Sequence, residues 1–468
     1  MSDGGPGRRE PEAPRARLRY GLELLSSLGG RAVGLPPAEL FPNGGDVARW
    51  SAMGRTFIVS RSPSHVEEVF VAGYDQFQKA THYRLLATVT GNGLLTSEGE
   101  RWAKQRRLIQ PVLGRRQIDR LIPPMVEATR GYLDRFTLPP PDRPVLVGDE
   151  MTEVTLDVVG RALFGNGLAQ HLDRLRPAVT RGMSIALTSA RLQMVVGVGP
   201  RLIDLAGRIF RRVPLPWPLH RIRGVMRTFD DVVNDMIDQR ERDGLGQHDD
   251  LLDLLLTVTD DDGTPMDREL VRDELVTMML AGHETTANAL SWLWYCFTQD
   301  LDTYERHLDE VRTVLDGREP TPVDLDRLIW TRACLQEAMR LYPPAWVLER
   351  EAREDVDLDG YRIPRKATVI FLVHLIHRDP RWWDQPLEFR PERFMPEAPP
   401  PARGTYLPFG AGRRVCVASS FALTEGTLIA AMTSQRFRFA RAVEGPPGES
   451  ATVTLRPADR LPMLVTPL

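Results

Sequence analysis

Residues Arg268 to Phe297 hold helical spacing without interruption. A helix of about 30 residues rises about 45 Å, enough to cross a whole domain. Such an element needs a large body around it, so the chain's 468 residues read as one large unit, although that length allows about three ordinary domains. The middle of the run is Met278-Met279-Leu280-Ala281-Gly282-His283-Glu284-Thr285-Thr286. A carboxylate within a buried helix is costly unless something satisfies it, and Gly weakens a helix by about 1 kcal/mol relative to Ala. Two unfavourable choices in one turn point to a functional kink, because rule-breaking gathers at sites. The bland alternative is an amphipathic helix with Glu284 facing solvent.

Most of the remaining chain also has helical spacing: Ile118 to Phe136, Met151 to Leu163, Thr228 to Arg242, Tyr304 to Leu315 and Leu325 to Leu341. Strand-like patterns are confined to Asp46–Ser60 and Tyr361–Leu372, with Gly360-Tyr361 and Ile363-Pro364 marking a hairpin. Pro clusters at 139–141, 214–218 and 399–401 mark loops, and no fixed-period repeat is present. The expected fold is mainly α with a small β region: a single large domain over 41–468, preceded by a flexible basic leader over 1–40. Arg8-Arg9 in that leader lacks the apolar stretch of a twin-arginine export signal.

Lys plus Arg number 60 against 63 Asp plus Glu, a net charge of -3, which speaks against nucleic acid as the main partner. The uncharged stretch Thr285–Gln299 is too short and polar for a membrane span, which needs about 20 apolar residues. Three cysteines without a CxxC pair give neither a disulfide framework nor zinc spacing. A reducing cytoplasm is the expected setting.

One of the three cysteines differs from the others. Cys296 and Cys334 lie within apolar helical patterns, the setting of packed structural thiols. Cys416 lies in Phe409-Gly410-Ala411-Gly412-Arg413-Arg414-Val415-Cys416-Val417-Ala418, where two glycines allow a tight turn and close approach to a flat ligand. A helix expected over about 417–433 places this thiol near a helix N-terminus, which favours the anion and lowers its pKa. A thiolate is a soft ligand suited to iron.

The segment Phe409–Ala418 resembles the haem-binding loop of cytochromes P450, Phe-Gly-x-Gly-x-Arg-x-Cys-x-Gly, with Ala418 at the final Gly. Ala281–Thr286 is similar to that family's oxygen-activation turn, and Glu337-Ala338-Met339-Arg340 to its ExxR pair. Pro391-Glu392-Arg393-Phe394 resembles the segment whose Arg joins that pair, and Trp102–Arg106 the WxxxR beside one haem edge. The likeness runs from about Asp46 to Pro457.

The resemblance implies the cytochrome P450 fold and haem b, with Cys416 as iron ligand and Phe409, Gly410 and Ala281 against the cofactor. It assigns Arg106, Arg350 and Arg414 to the propionates with Trp102 as a donor, and Glu284 and Thr285 to proton delivery. Glu337, Arg340 and Arg393 become a structural triad. By the residues alone, Glu337 and Arg340 at i and i+3 share a helix face, and the alternative is a surface pair worth about 0–1 kcal/mol.

The implied activity is a monooxygenase using O2 and two electrons to hydroxylate or epoxidise a lipophilic small molecule, of terpenoid, fatty acyl or polyketide type, in secondary metabolism. No flavin or nicotinamide fingerprint is present, so the resemblance implies a ferredoxin and ferredoxin reductase as external donors to a monomer. Lys104, Arg107, Arg115 and Arg116 are candidates for the docking face, against the alternative of an ordinary charged surface. Pocket walls are expected near 85–95, 183–194, 278–281, 345–348 and 451–463; their Leu, Val, Met and Ala content suits an apolar ligand. The rivals are a non-hydroxylating enzyme of the same fold (desaturation, oxidative coupling, peroxide use), a haem-binding sensor without turnover, and a purely structural helical protein.

Overall fold

The structure is a computed structural model that describes residues 12–15, 35–52, 54–81, 83–165, 171, 174–175, 177–178, 220–248 and 250–468. Its principal helices are α1 (Gly99–Val112), α2 (Arg115–Arg135), α3 (Val147–Phe164), α4 (His220–Asp243), α5 (Arg268–Gln299), α6 (Leu301–Leu315), α7 (Ile329–Leu341) and α8 (Ser419–Ser434). The wall segment expected at 183–194 lies outside the described residues.

Helix α5 is the long run the sequence announces. Asp267 caps it by accepting from the Leu270 N–H at 2.8 Å, satisfying one orphan donor of the first turn. Helix α3 packs most extensively against it, and α4, α7 and α8 also touch it. Val271, Leu275, Leu290, Trp292, Leu293 and Trp294 are all fully buried.

Helix α5 is continuous past Gly282, helical from end to end. Thr285 and Thr286 return their hydroxyls to the carbonyls of Ala281 (2.9 Å) and Gly282 (3.1 Å), bonds that compete with the helix without breaking it. Gly282 answers to packing, since a Cβ there would lie 3.3 Å from Val159 Cγ2 on α3. Helix α7 begins later than its pattern suggests, because Pro322–Leu325 forms a separate turn capped by Thr321.

The β region is small. Strands β1 (Val47–Ala52), β2 (Arg55–Ser60), β3 (Phe77–Gln78), β4 (Val347–Ala352) and β7 (Thr368–Leu372) form a sheet in the order β1-β2-β7-β4-β3. The patch Tyr361–Leu372 divides in two. Its first part is β6 (Tyr361–Ile363), which pairs with β5 (Val356–Leu358) through Asp359 and Gly360, both at positive φ, as a two-residue hairpin turn requires. Its second part, β7, enters the larger sheet. Lys366 between them has φ 68, a left-handed backbone that favours Gly.

At the C-terminus, β8 (Phe437–Arg441) pairs with β11 (Pro462–Pro467), and β9 (Glu449–Ala451) with β10 (Leu455–Pro457). Residue 40 does not mark a change in packing: Leu40 and Phe41 are buried in the main core. Glu12–Arg15 lies against β1, where the Arg49 N–H donates to the Pro14 carbonyl at 2.7 Å.

Candidate active site

The loop before α8 presents Cys416. Gly410 and Gly412 both have positive φ (78° and 63°), and a Cβ at Gly412 would sit 2.0 Å from the Phe70 carbonyl oxygen. Only glycine fits there. The Cys416 N–H closes the loop on the Phe409 carbonyl at 2.8 Å. Cys296 and Cys334 are buried, whereas the Cys416 thiol is accessible although it lies deep among protein atoms, the combination that marks a cavity wall. Burial pushes this thiol's pKa up, against opposing pulls from the Ala418 N–H and the Arg106 charge. The direction is opposite to the one expected from a helix N-terminus, because α8 starts only at Ser419 and desolvation outweighs two favourable partners.

Behind the loop, Glu337 and Arg340 form a pair with no exposed side-chain surface. Arg340 donates from Nε and Nη2 to Glu337 at 2.7 and 2.8 Å, and to the carbonyls of His377, Pro386 and Glu388. Glu337 Oε1 also accepts from Arg393 Nε at 3.2 Å and from the Arg390 N–H at 2.9 Å. His377, which the sequence reading missed, links this triad to the cysteine loop. Its Nε2 accepts from the Leu407 N–H at 2.7 Å, so its Nδ1–H donates to the Arg340 carbonyl at 3.1 Å. Burial pushes its pKa down to about 3, so the ring is neutral. No spacing rule singles this histidine out from its neighbours in sequence.

A group of cations flanks the loop. Arg106, one turn after Trp102 on α1, donates to the Val415 carbonyl (2.7 Å) and to Gln110 (3.1 Å). Arg350 on β4 donates to its neighbour's carbonyl at 2.6 Å and stands 4.4 Å from the Phe70 ring centre. Neither meets a carboxylate among the described residues. Arg414 differs: it bonds Glu98 (2.7 Å), Tyr74 (2.9 Å) and the Ser97 carbonyl (3.2 Å), and its guanidinium lies over the Trp102 ring at 3.8 Å. It therefore already has a counter-charge.

Lys79, also missed by the sequence reading, donates to the carbonyls of Leu94 and Ser97 (2.9 and 3.0 Å). Burial, with Arg414 and Arg350 nearby, pushes it down to about 7. Burial lowers Arg106 and Arg350 as well, with Arg414 adding repulsion to each. A cluster of half-buried cations, two with no carboxylate bonded to them among the described residues, is suited to an anionic group. A porphyrin with two propionates, held at iron by one thiolate, fits this donor set.

On α5, Ala281 is exposed, and Gly282 beside it is half-buried with α3 alongside. Thr285 bonds back to the Ala281 carbonyl, while Glu284 turns to the C-terminal hairpin and accepts from Thr454 Oγ1 at 2.8 Å. No hydrogen bond joins the Glu284 and Thr285 side chains among the described residues. Of the apolar wall segment 451–463, Ala451, Leu455, Leu461 and Met463 are buried in the core, while Val453 and Ala458 are exposed.

The family model for cytochrome P450 matches residues 27–461. The chain belongs to the cytochrome P450 family. This P450 is 38% identical to cytochrome P450 132 of Mycobacterium tuberculosis over 416 residues, covering 88% of each chain. It is 33% identical to pentalenene oxygenase of Streptomyces avermitilis over 350 residues, covering 74% of each. The crystal structure of the cytochrome P450DA heme domain superposes with a TM-score of 0.76 at 25% identity, covering 90% of each chain. The P450 is thus a monooxygenase of a haem-iron family with the fold expected from its sequence. No helix among the described residues is long and apolar enough to cross a membrane.

Proposed function

We propose that this P450 uses haem b, O2 and two electrons from a ferredoxin and its reductase to hydroxylate or epoxidise a terpenoid-type lipophilic molecule in the cytoplasm. The observation that carries the reading is the accessible Cys416 thiol set between a glycine-turned loop and cations short of counter-charge. The haem, when bound, supplies oxygen activation and oxygen transfer.

The chain's own residues do the rest. Cys416 holds the iron, with the Ala418 N–H and Arg106 favouring its ionised form. Arg106 and Arg350 take the propionates, and Trp102 steadies Arg414 beside them. Thr285 Oγ1 donates to the Ala281 carbonyl, so its lone pairs are free to accept from a water and hold it in place. Glu284 relays the proton from solvent to that water.

Met278, Leu94, Val347 and Leu348 are half-buried, and with exposed Leu95 and Val453 they provide apolar surface for a hydrocarbon. The relative named for pentalenene supports the terpenoid class. On the docking face, Lys104 pairs with Asp260 (2.6 Å) and Arg115 with Asp326 (2.9 Å), which leaves Arg107 and Arg116 to meet an acidic ferredoxin.

The test is a terpenoid library screened by the iron spin-state shift, followed by product analysis with a surrogate ferredoxin system. An oxygenated terpenoid is the expected product; spin-state shifts confined to another chemical class would reject the substrate reading. Cys416→Ser should abolish the thiolate signature of the reduced carbon monoxide complex, while Cys296→Ser and Cys334→Ser keep it.

A further inference from the structure

Helix α5 carries Glu284 and Asn288 one turn apart, on one face. Both reach the same hydroxyl. Asn288 Nδ2 donates to Thr454 Oγ1 at 3.1 Å, and Thr454 Oγ1 donates to Glu284 Oε1 at 2.8 Å. The direction of the second bond follows from the first: the amide nitrogen can only donate, so the hydroxyl's single proton goes to the carboxyl group.

Thr454 and Asn288 are 4% and 7% exposed, and the turn that carries Thr454 is held on several sides. Trp346 Nε1 donates to the Thr452 carbonyl (2.8 Å), the Leu455 N–H to the Pro344 carbonyl (3.0 Å), and Trp292 Nε1 to the Leu455 carbonyl (3.3 Å). The hydroxyl is therefore a fixed point against which α5 can set its acid. Glu284 Oε2, the other carboxyl oxygen, is buried and has no hydrogen-bond partner among the described residues.

We infer that Thr454, backed by Asn288, is a positioning residue of the proton relay, holding Glu284 Oε1 as a fixed acceptor so that Oε2 takes up and releases the proton. This rests on the reading of Glu284 as the relay acid. In each cycle the proton leaves Oε2 for the oxygen-activating site and is replaced from solvent; no electron moves in this step.

The test compares wild-type holoenzyme with Thr454→Val, Thr454→Ser, Asn288→Ala and Glu284→Gln. Hydrogen peroxide released per NADH consumed is read with a surrogate ferredoxin system and pentalenene as the probe, a ratio that does not depend on product formation. In parallel, the infrared bands of the Glu284 carboxyl group are isolated in the resting protein as the difference from Glu284→Gln. Thr454→Val is expected to raise the peroxide ratio about two- to tenfold, the worth of one hydrogen bond, and to move the Glu284 bands. Thr454→Ser should restore both. If Thr454→Val does not retain haem, Asn288→Ala is expected to show the same changes at smaller size.

Unmoved Glu284 bands together with an unchanged peroxide ratio in Thr454→Val, while Glu284→Gln leaks peroxide, would overturn the role of Thr454 and leave the acid standing. Equal losses in Thr454→Val and Thr454→Ser with unmoved bands would reduce Thr454 to packing, which also overturns it. No leak in Glu284→Gln would overturn the relay reading and this inference together.

Discussion

Arg340 and Glu337 share two hydrogen bonds of 2.7 and 2.8 Å, and three backbone carbonyls take the remaining N–H groups of the guanidinium. A buried ion pair is costly to break from one side, because the partner left behind keeps an uncompensated charge. Glu337→Ala is expected to destabilise by about 3–5 kcal/mol and to lower haem content, since His377 ties the same guanidinium to the cysteine loop. Thermal unfolding and pigment per protein measure both; a variant with normal pigment and midpoint would show that the triad is dispensable.

Gly412→Ala places a methyl group on the Phe70 carbonyl in a left-handed backbone. Gly317 has a comparable φ of 77° with nothing within 4 Å of its Cβ position. Gly317→Ala should cost only the conformational penalty of about 1–2 kcal/mol, and Gly412→Ala clearly more. Equal losses of melting temperature would refute the close-approach account of Gly412.

Glu425 on α8 is fully buried, and neither of its carboxyl oxygens has a hydrogen-bond partner among the described residues. The nearby Thr286 hydroxyl donates to Gly282 instead. Burial holds this carboxyl protonated well above its usual 4.5. The folded chain therefore keeps a proton that the unfolded chain releases. The group's contribution is whole below about pH 4.5 and is lost as pH rises toward the folded value, by about 1.4 kcal/mol per unit. Glu425→Gln removes this dependence, so its melting temperature relative to wild type should climb between pH 5 and pH 8. Parallel curves would contradict the assignment.

Thr285→Ala removes the accessible hydroxyl beside Ala281. Electrons are expected to leave as hydrogen peroxide in place of product, with substrate binding unchanged, and Thr285→Ser should retain coupling. Product per electron pair decides it; unchanged coupling in the alanine variant would remove Thr285 from proton delivery.

The long helix, the shared face of Glu337 and Arg340 and the cysteine loop were legible because each is written in local spacing: helical period, i and i+3 placement, and glycine where only glycine fits. The burial of that pair and its link to Arg393 are not local, and only the resemblance pointed to them. What was not legible lies in long-range partners. Nothing in the sequence shows α3 beside Gly282, since sequence does not say which helix packs where. Glu98 and Tyr74, the partners of Arg414, arrive from distant segments. His377, Lys79 and Thr454 carry no motif; each matters only for the backbone or carboxyl group that folding brings to it.

Arg106 and Arg350 stand half-buried with no carboxylate bonded to them among the described residues. A dianionic guest that engages both binds the folded chain and not the unfolded one, so acquiring the tetrapyrrole is linked to folding. How much of this enzyme a cell accumulates should then follow its supply of that pigment as closely as transcription of the gene.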